Sequence, residues 1–195
     1  GNVSLGQVEA VFNKLGGEDG VMRFLRDELE VVEKKLEEFD FTVDYSLTLE
    51  QMIELGNYDW KDPAITAKNF PLERRDEKRQ IKGILVHYGR DMSTDAVLSD
   101  LKAKGLRPAT IDELLALGAK HPDLQRKFPI VALGSDFVRG GGRCGPYLDR
   151  GGTDRGLGLR WVGRGWGWRL RVLGCSRVCL TTGQAKDSWS LGPLD

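Results

Sequence analysis

The chain has 195 residues, 40% hydrophobic and 30% charged, with 29 basic side chains against 29 acidic ones. This is enough for one good domain or two small ones, in proportions ordinary for a globular protein. No run approaches the roughly 18 apolar residues of a membrane span, and the start, GNVSLGQVEAVF, has no basic stretch ahead of an apolar core, so neither an anchor nor a secretory signal is expected. Gly1 in place of Met leaves the true start of the chain open, and Ser4 falls one place early for a myristoylation site. A cytoplasmic location is the default expectation.

The neutral total hides an asymmetry. Residues 1–138 carry 19 Lys and Arg against 25 Asp and Glu, and residues 139–195 carry 10 against 4. Twelve of the 25 glycines lie between 139 and 175, and all three cysteines and four of the five tryptophans follow residue 138. The sharpest change of composition therefore falls near 138.

In chain order, SLGQVEAVFNKLGG reads as a short helix capped by Ser4, with Val8, Val11, Phe12 and Leu15 on one face and Gly16-Gly17 as its stop. The next stretch repeats Val21, Phe24, Leu25, Leu29, Val32 and Leu36 at three- and four-residue steps. It predicts an amphipathic helix over 20–38 that packs on its own chain. FTVDYSL alternates and predicts a strand over 41–46, and TLEQMIELG a capped helix ending at Gly56. Pro63 and Pro71 mark an irregular connection, and ERRDEKRQ a solvated run whose charges nearly cancel. IKGILVHYG predicts a strand over 81–88, and STDAVLSDLKAKG a helix capped by Ser93 and stopped by Gly105. Thr110 and Glu113 match a capping box opening a helix with Ile111, Leu114, Leu115 and Leu117 on one face. PIVALGS predicts a buried strand over 129–134. Three further strands are expected in CGPYLD, GLGLRWV and WGWRLRVLG, where Leu157, Leu159 and Trp161, and then Trp166, Trp168, Leu170 and Val172, alternate. Residues 176–195 show little pattern and predict a loosely ordered tail.

No catalytic signature stands out. His87 and His121 lack partners for a metal site or a nucleophile dyad, LGS at 133–135 lacks the nucleophile-elbow frame, and no phosphate loop is present. Cys144, Cys175 and Cys179 imply neither a disulfide framework nor a zinc site and read as free thiols. No catalytic residue, metal or cofactor is expected.

The serious chemical signal is the Arg-Gly stretch. Arginines at 139, 143, 150, 155, 160, 164, 169 and 171, with Trp161, Trp166 and Trp168, have the composition to hold phosphates and stack bases. The plainer alternative is a basic sheet surface. A third is a composition left by how the gene changed. The alternation favours a folded face over a disordered tail.

On QVEAVFNKLGGEDGVMRFLRDELEVV, VDYSLTLEQMIELGNYDW, PAITAKNFP, LRPATIDELLALGAKHPDLQRKFPIVALGS and PYLDRGGTDRGLGLRWVGRGW, the chain resembles a family of uncharacterised proteins from candidate-phyla bacteria. The likeness covers most of residues 3–173, and in that family the part after FPIVALGS varies heavily. The C-terminal part is in turn similar to the variable proteins of diversity-generating retroelements, whose ligand-binding domain has a C-type-lectin-type fold. LRPATIDELLALG looks like a loose version of the RLPTEAEWEYA helix start of formylglycine-generating-enzyme-type lectin folds. In such systems template adenines are miscopied, so that asparagine codons drift to Gly, Arg, Cys, Asp, Ser or Tyr. Relatives tend to end on a strand like RFLAVRK, whereas RLRVLGCSRVCLTTGQAKDSWSLGPLD stands here. That suggests a shifted frame or read-through after about residue 168 and puts the last strand in question.

The expected fold is α+β: a mainly helical region over 1–78, then a small C-type-lectin-like domain over 79–175 with a twisted antiparallel sheet and a variable segment at 136–170. The scaffold is expected to rest on Ile84, Val86, Leu114, Leu117, Ile130, Val131, Leu133, Leu157, Leu159 and Trp161. The resemblance implies ligand contact through outward residues between them: Asp136, Val138, Arg139, Arg143, Arg150, Asp154, Arg155, Arg160, Arg164 and Trp168. The expected partner is a protein or surface ligand, with nucleic acid as the alternative. An enzyme on the formylglycine-generating scaffold is disfavoured, because no active-site cysteine pair lies upstream.

Overall fold

Ser4 opens helix α1 (Leu5–Leu15): its hydroxyl accepts from the Gln7 amide at 3.3 Å, and the Gln7 side chain accepts from the Ser4 amide at 2.8 Å. Gly16, at φ 93°, ends it. Helix α2 follows at Glu18–Leu25. In the computed structural model, which describes residues 3–26, 28, 36–73, 75–166 and 169–176, these helices belong to one unit, Gly1–Lys35, and everything else to a second, Leu36–Asp195.

The long helix expected over 20–38 is corrected on two counts. Helix α2 ends at Leu25, and residues 37–39 are already strand. Phe24 and Leu25, expected to pack on their own chain, are 37% and 69% exposed. Leu29 and Val32 lie outside the described residues. The boundary expected at 78 is not met either. Strand β1 (Glu37–Asp44) is hydrogen-bonded along its whole length to β3 (Lys78–His87), so 36–78 and 79–176 share one sheet.

The second unit continues with α3 (Leu49–Gly56), β2 (Trp60–Lys61), α4 (Thr94–Ala103), β4 (Leu106–Pro108), α5 (Ile111–Lys120), α6 (Leu124–Lys127), β5 (Ile130–Val131), β6 (Phe137–Arg139), β7 (Gly142–Gly151), β8 (Asp154–Trp161) and β9 (Arg171–Ser176). Its sheet runs β1-β3-β9-β5-β7-β8-β2, with β4 beside β9 and β6 beside β7. It does not close. Among the described residues, only β5–β9 and β2–β8 pair in parallel. The expected α+β class holds at this level: a mixed architecture built on a large, mostly antiparallel sheet. No helix among the described residues is long and apolar enough to cross a membrane.

Both faces of the sheet's middle are buried, and the pleat sorts the side chains between them. Ile81 and Leu85 of β3, Leu173 and Cys175 of β9, Ile130, Leu148 and Leu157 face one core, filled from outside by α3 and α5. Ile84 and Val86, Val172, Val131 and Trp166 face a second core, with Val97 and Leu101 of α4. This explains the unbroken burial of 83–86 and 172–175, where one buried face would have shown alternation. Strand β9 lies in the middle of the sheet, between β3 and β5. The strand that the altered ending put in question is therefore present and central, though it begins at Arg171 rather than near Trp166. Residues 177–195, including Cys179, lie outside the described residues.

Helix α5 starts as its sequence dictates. Glu113 returns to the Thr110 amide at 2.9 Å, and its carboxylate also grips the Arg107 guanidinium at 2.8 and 2.5 Å. Burial works to raise the Glu113 carboxyl, but the Arg107 pair and the Thr110 amide outweigh it and hold the group below its usual range. The neighbouring Asp112 has no such cation, and burial raises it. Cys175, beside Glu113, and Cys144 are free and buried, and burial pushes both thiols up.

Candidate functional site: a concave face beside the β7–β8 hairpin

Strands β7 and β8 pair from Cys144 opposite Trp161 to Gly151 opposite Asp154. Pleat geometry then fixes the faces. Leu148 and Leu157 point into the α3–α5 core. Arg143, Tyr147 and Arg160 point to the other side, joined by Val138, which stands opposite Arg143, and by Asp136 two places earlier.

Four of the expected contact residues come together on that side. Arg143 donates to both carboxylate oxygens of Asp136, at 2.7 and 2.9 Å, and this bidentate grip holds the Asp136 carboxyl below the usual carboxylate range. Val138, 60% exposed, and Arg160 stand beside them. Next to this group opens a depression of about 690 Å³, with half-buried Met92, Leu98, Leu133 and Val162 as an apolar floor. Asp91, Asp95, Asp136 and Arg143 stand around its edge, and Gly163 and Gly165 form one wall. The wall is anchored. The Thr94 hydroxyl donates to the Val162 carbonyl at 2.6 Å, the Trp166 indole donates to Thr94 at 2.9 Å, and Met92 and Trp166 exchange backbone hydrogen bonds.

The other expected contact residues do not join this group. Arg150 and Asp154 are exposed at the turn of the hairpin. Seven residues of strand separate Arg143 from Arg150, about 23 Å at 3.3 Å per residue. Arg139 points to the opposite face and meets buried Asp62 at 3.1 Å. Arg164 falls in a 3-10 turn, Val162–Arg164. Trp168 lies outside the described residues.

Arg155 is the clearest correction. Expected as an outward contact group, it is only 6% exposed. Its guanidinium donates to the carbonyls of Gly56 at 2.5 Å, Asn57 at 3.3 Å and Gly118 at 2.8 Å, and lies 5.0 Å over the Tyr58 ring. The cause is local. The last carbonyls of a helix lack intrahelical partners and carry the negative end of its dipole. Arg155 closes the ends of α3 and α5 together, and among the described residues its side-chain hydrogen bonds all run to carbonyl oxygens. The Tyr58 hydroxyl, buried in the same place, is raised by desolvation. Trp161 departs the other way. Expected in the scaffold, it is 37% exposed and lies over Gly142, where a Cβ would come within 2.2 Å of its ring.

Asp91, Met92 and Asp95 bear no sequence signal of a site, and Leu98 reads only as an inward position of its helix. Ser93 was legible as a helix cap, but nothing in the sequence ties the turn before it to Val162 and Trp166, some 70 residues on. No family model matches the chain, and no curated protein or solved structure matches it significantly.

Proposed function

We propose that the protein is a non-catalytic binding protein: a C-type-lectin-like display domain that meets a protein or surface ligand through Asp136, Val138, Arg143, Arg160 and the depression beside them. The observation that carries this reading is the separation of the two faces of 136–166. Leu148, Leu157 and Arg155 are locked in the core, while Asp136, Val138, Arg143 and Arg160 on the opposite side are exposed beside an anchored hollow, with Gly145, Tyr147 and Gly158 between them covered by the second core. A Cβ added at Gly163, on the hollow's wall, would meet nothing within 4 Å. Side chains there are free to change without disturbing the frame, which is what drift of template-copied codons would demand. Both ends of the segment are held by the sheet, through β5 and β9.

The nucleic-acid reading ranks behind. Arg139 and Arg143 are bonded to acids and Arg155 is internal, so these three are not free to line a phosphate-tracking groove. The test is a displayed library randomised at 136, 138, 143, 160 and 163, selected against immobilised proteins. Enrichment of specific binders that keep Arg155 and Leu157 supports the proposal. The proposal falls if no binders emerge. It also falls if the original chain holds DNA with an affinity dropping linearly in log salt.

A further inference from the structure

The N-terminal unit presents an unusual surface. Of twelve large hydrophobic side chains that are exposed among the described residues, eight lie between residues 3 and 25. Helix α1 has no buried residue at all. Its apolar positions are not scattered: Leu5, Val8, Phe12 and Leu15 follow the three- and four-residue steps of a coiled-coil seam. Leu5 is 85% exposed and Phe12 42%. On α2, Met22 is 43% and Leu25 69% exposed. An isolated helix of eleven residues is marginal in water. A unit of 35 residues is below the size of about 40 at which a chain usually supplies its own core. The seam thus calls for a second helical surface.

We infer that this surface is a self-association site, covered by the same helices of a second copy of the chain. The charges select that occupant. Helix α2 opens with Glu18 and Asp19, and its end carries Arg23 and Arg26. A two-fold axis near Val21 and Met22 lays two such helices antiparallel, with Glu18 and Asp19 of one copy beside Arg26 and Arg23 of the other. Closed two-fold pairing is also the commonest symmetry of oligomers. The arginines are available for it. Their pairs with Glu28, at 3.4 and 3.9 Å, leave their side chains 57% and 63% exposed. Residues 3–26 hold three acids and three bases, so two copies meet without net repulsion. A bilayer is the poorer match, since an interfacial helix carries a cationic polar face. If the second unit binds as proposed above, such a dimer joins two binding faces and gains affinity by avidity.

Sedimentation velocity of the full chain between about 1 and 100 µM, where ordinary interfaces populate, should show a concentration-dependent dimer. Leu5→Glu with Phe12→Glu should return it to monomer while circular dichroism and the thermal midpoint of the second unit stay unchanged. A second arm keeps the test decisive if that variant folds poorly. Glu18→Lys with Asp19→Lys, and separately Arg23→Glu with Arg26→Glu, should each weaken self-association by about tenfold or more, and mixing the two should restore a heterodimer. A monomer throughout the range overturns the inference. So does a dimer indifferent to these substitutions, charge variants that do not recombine on mixing, or co-sedimentation of the chain with phosphatidylglycerol vesicles.

Discussion

Replacing Arg155 with Ser removes the clamp between α3, α5 and β8. Hydrogen bonds from a charged donor contribute about 1.5–3 kcal/mol each, and two of the three here are short. Against them stands the desolvation of a buried cation, several kcal/mol, so the intact clamp is worth much less than the sum of its bonds. Truncation relieves that desolvation, but it strands the carbonyls of Gly56, Asn57 and Gly118 and opens a cavity beside Tyr58. The expected loss is about 2–5 kcal/mol, or roughly 4–20 °C in Tm for a unit of this size. Arg155→Lys should fall between Ser and wild type, since a single ammonium has no planar fork to span two helix ends. Arg160→Ser, on the open face, should stay within about 0.5 kcal/mol. Urea denaturation of the three variants is the assay. If Arg155→Ser unfolds at the wild-type midpoint, or Arg160→Ser is the more damaging, the account of the two faces is wrong.

Glycines offer a second contrast. Gly163→Ser should leave the urea midpoint unchanged, whereas Gly134→Ala, whose Cβ would lie 2.7 Å from the Ala109 carbonyl oxygen, should lose about 1–3 kcal/mol. Leu157→Ala, in the core, should lose about 2–5 kcal/mol, and Trp161→Ala clearly less, because the ring is partly in solvent; parallel thermal melts decide the order. The Glu113 carboxyl, held low in the folded state, supplies stability above its unfolded pKa that is lost as pH falls through the folded one. Glu113→Gln should therefore lose about 1–3 kcal/mol at pH 7, and the gap to wild type should close in acid. Asp112→Asn should show the opposite trend, gaining on wild type as pH rises through the raised pKa of Asp112. Urea titrations at several pH values read both.

Local signals carried well from sequence to structure. Ser4, Thr48, Ser93 and Thr110 each cap a helix where a capping residue precedes an apolar repeat. The strands around 81–87 and 157–161 appear where β-rich alternation placed them. What failed depends on distant partners. Strands β2 and β4 have two and three residues and owe their extended form to neighbours far along the chain. The helical repeat running to Leu36 gives way at Glu37, where pairing with Leu85 begins and Phe39, Phe41 and Val43 take up a period of two.

The error over Arg155 has a different origin. Its parity matches Leu157 and Leu159, so the pleat alone assigns it to the inner face, but its charge suggested the outer one. The two open helix ends that neutralise it lie near residues 56 and 118 and leave no mark beside residue 155. The same holds for the concave site. Asp136 and Arg143 were legible as outward residues of a strand segment. The side facing them is formed by the turn before α4 and by Gly163 and Gly165, which the tertiary pairing of Met92 with Trp166 brings together.

The most direct test of a rewritable face on a locked frame is a saturation substitution scan of residues 136–166, read as the yield of protease-resistant folded protein. The account predicts tolerance at Asp136, Val138, Arg143, Arg160 and Gly163, and intolerance at Cys144, Leu148, Arg155 and Leu157. A profile in which Arg155 tolerates any residue, or in which Arg143 and Arg160 are as restricted as Leu157, would contradict it.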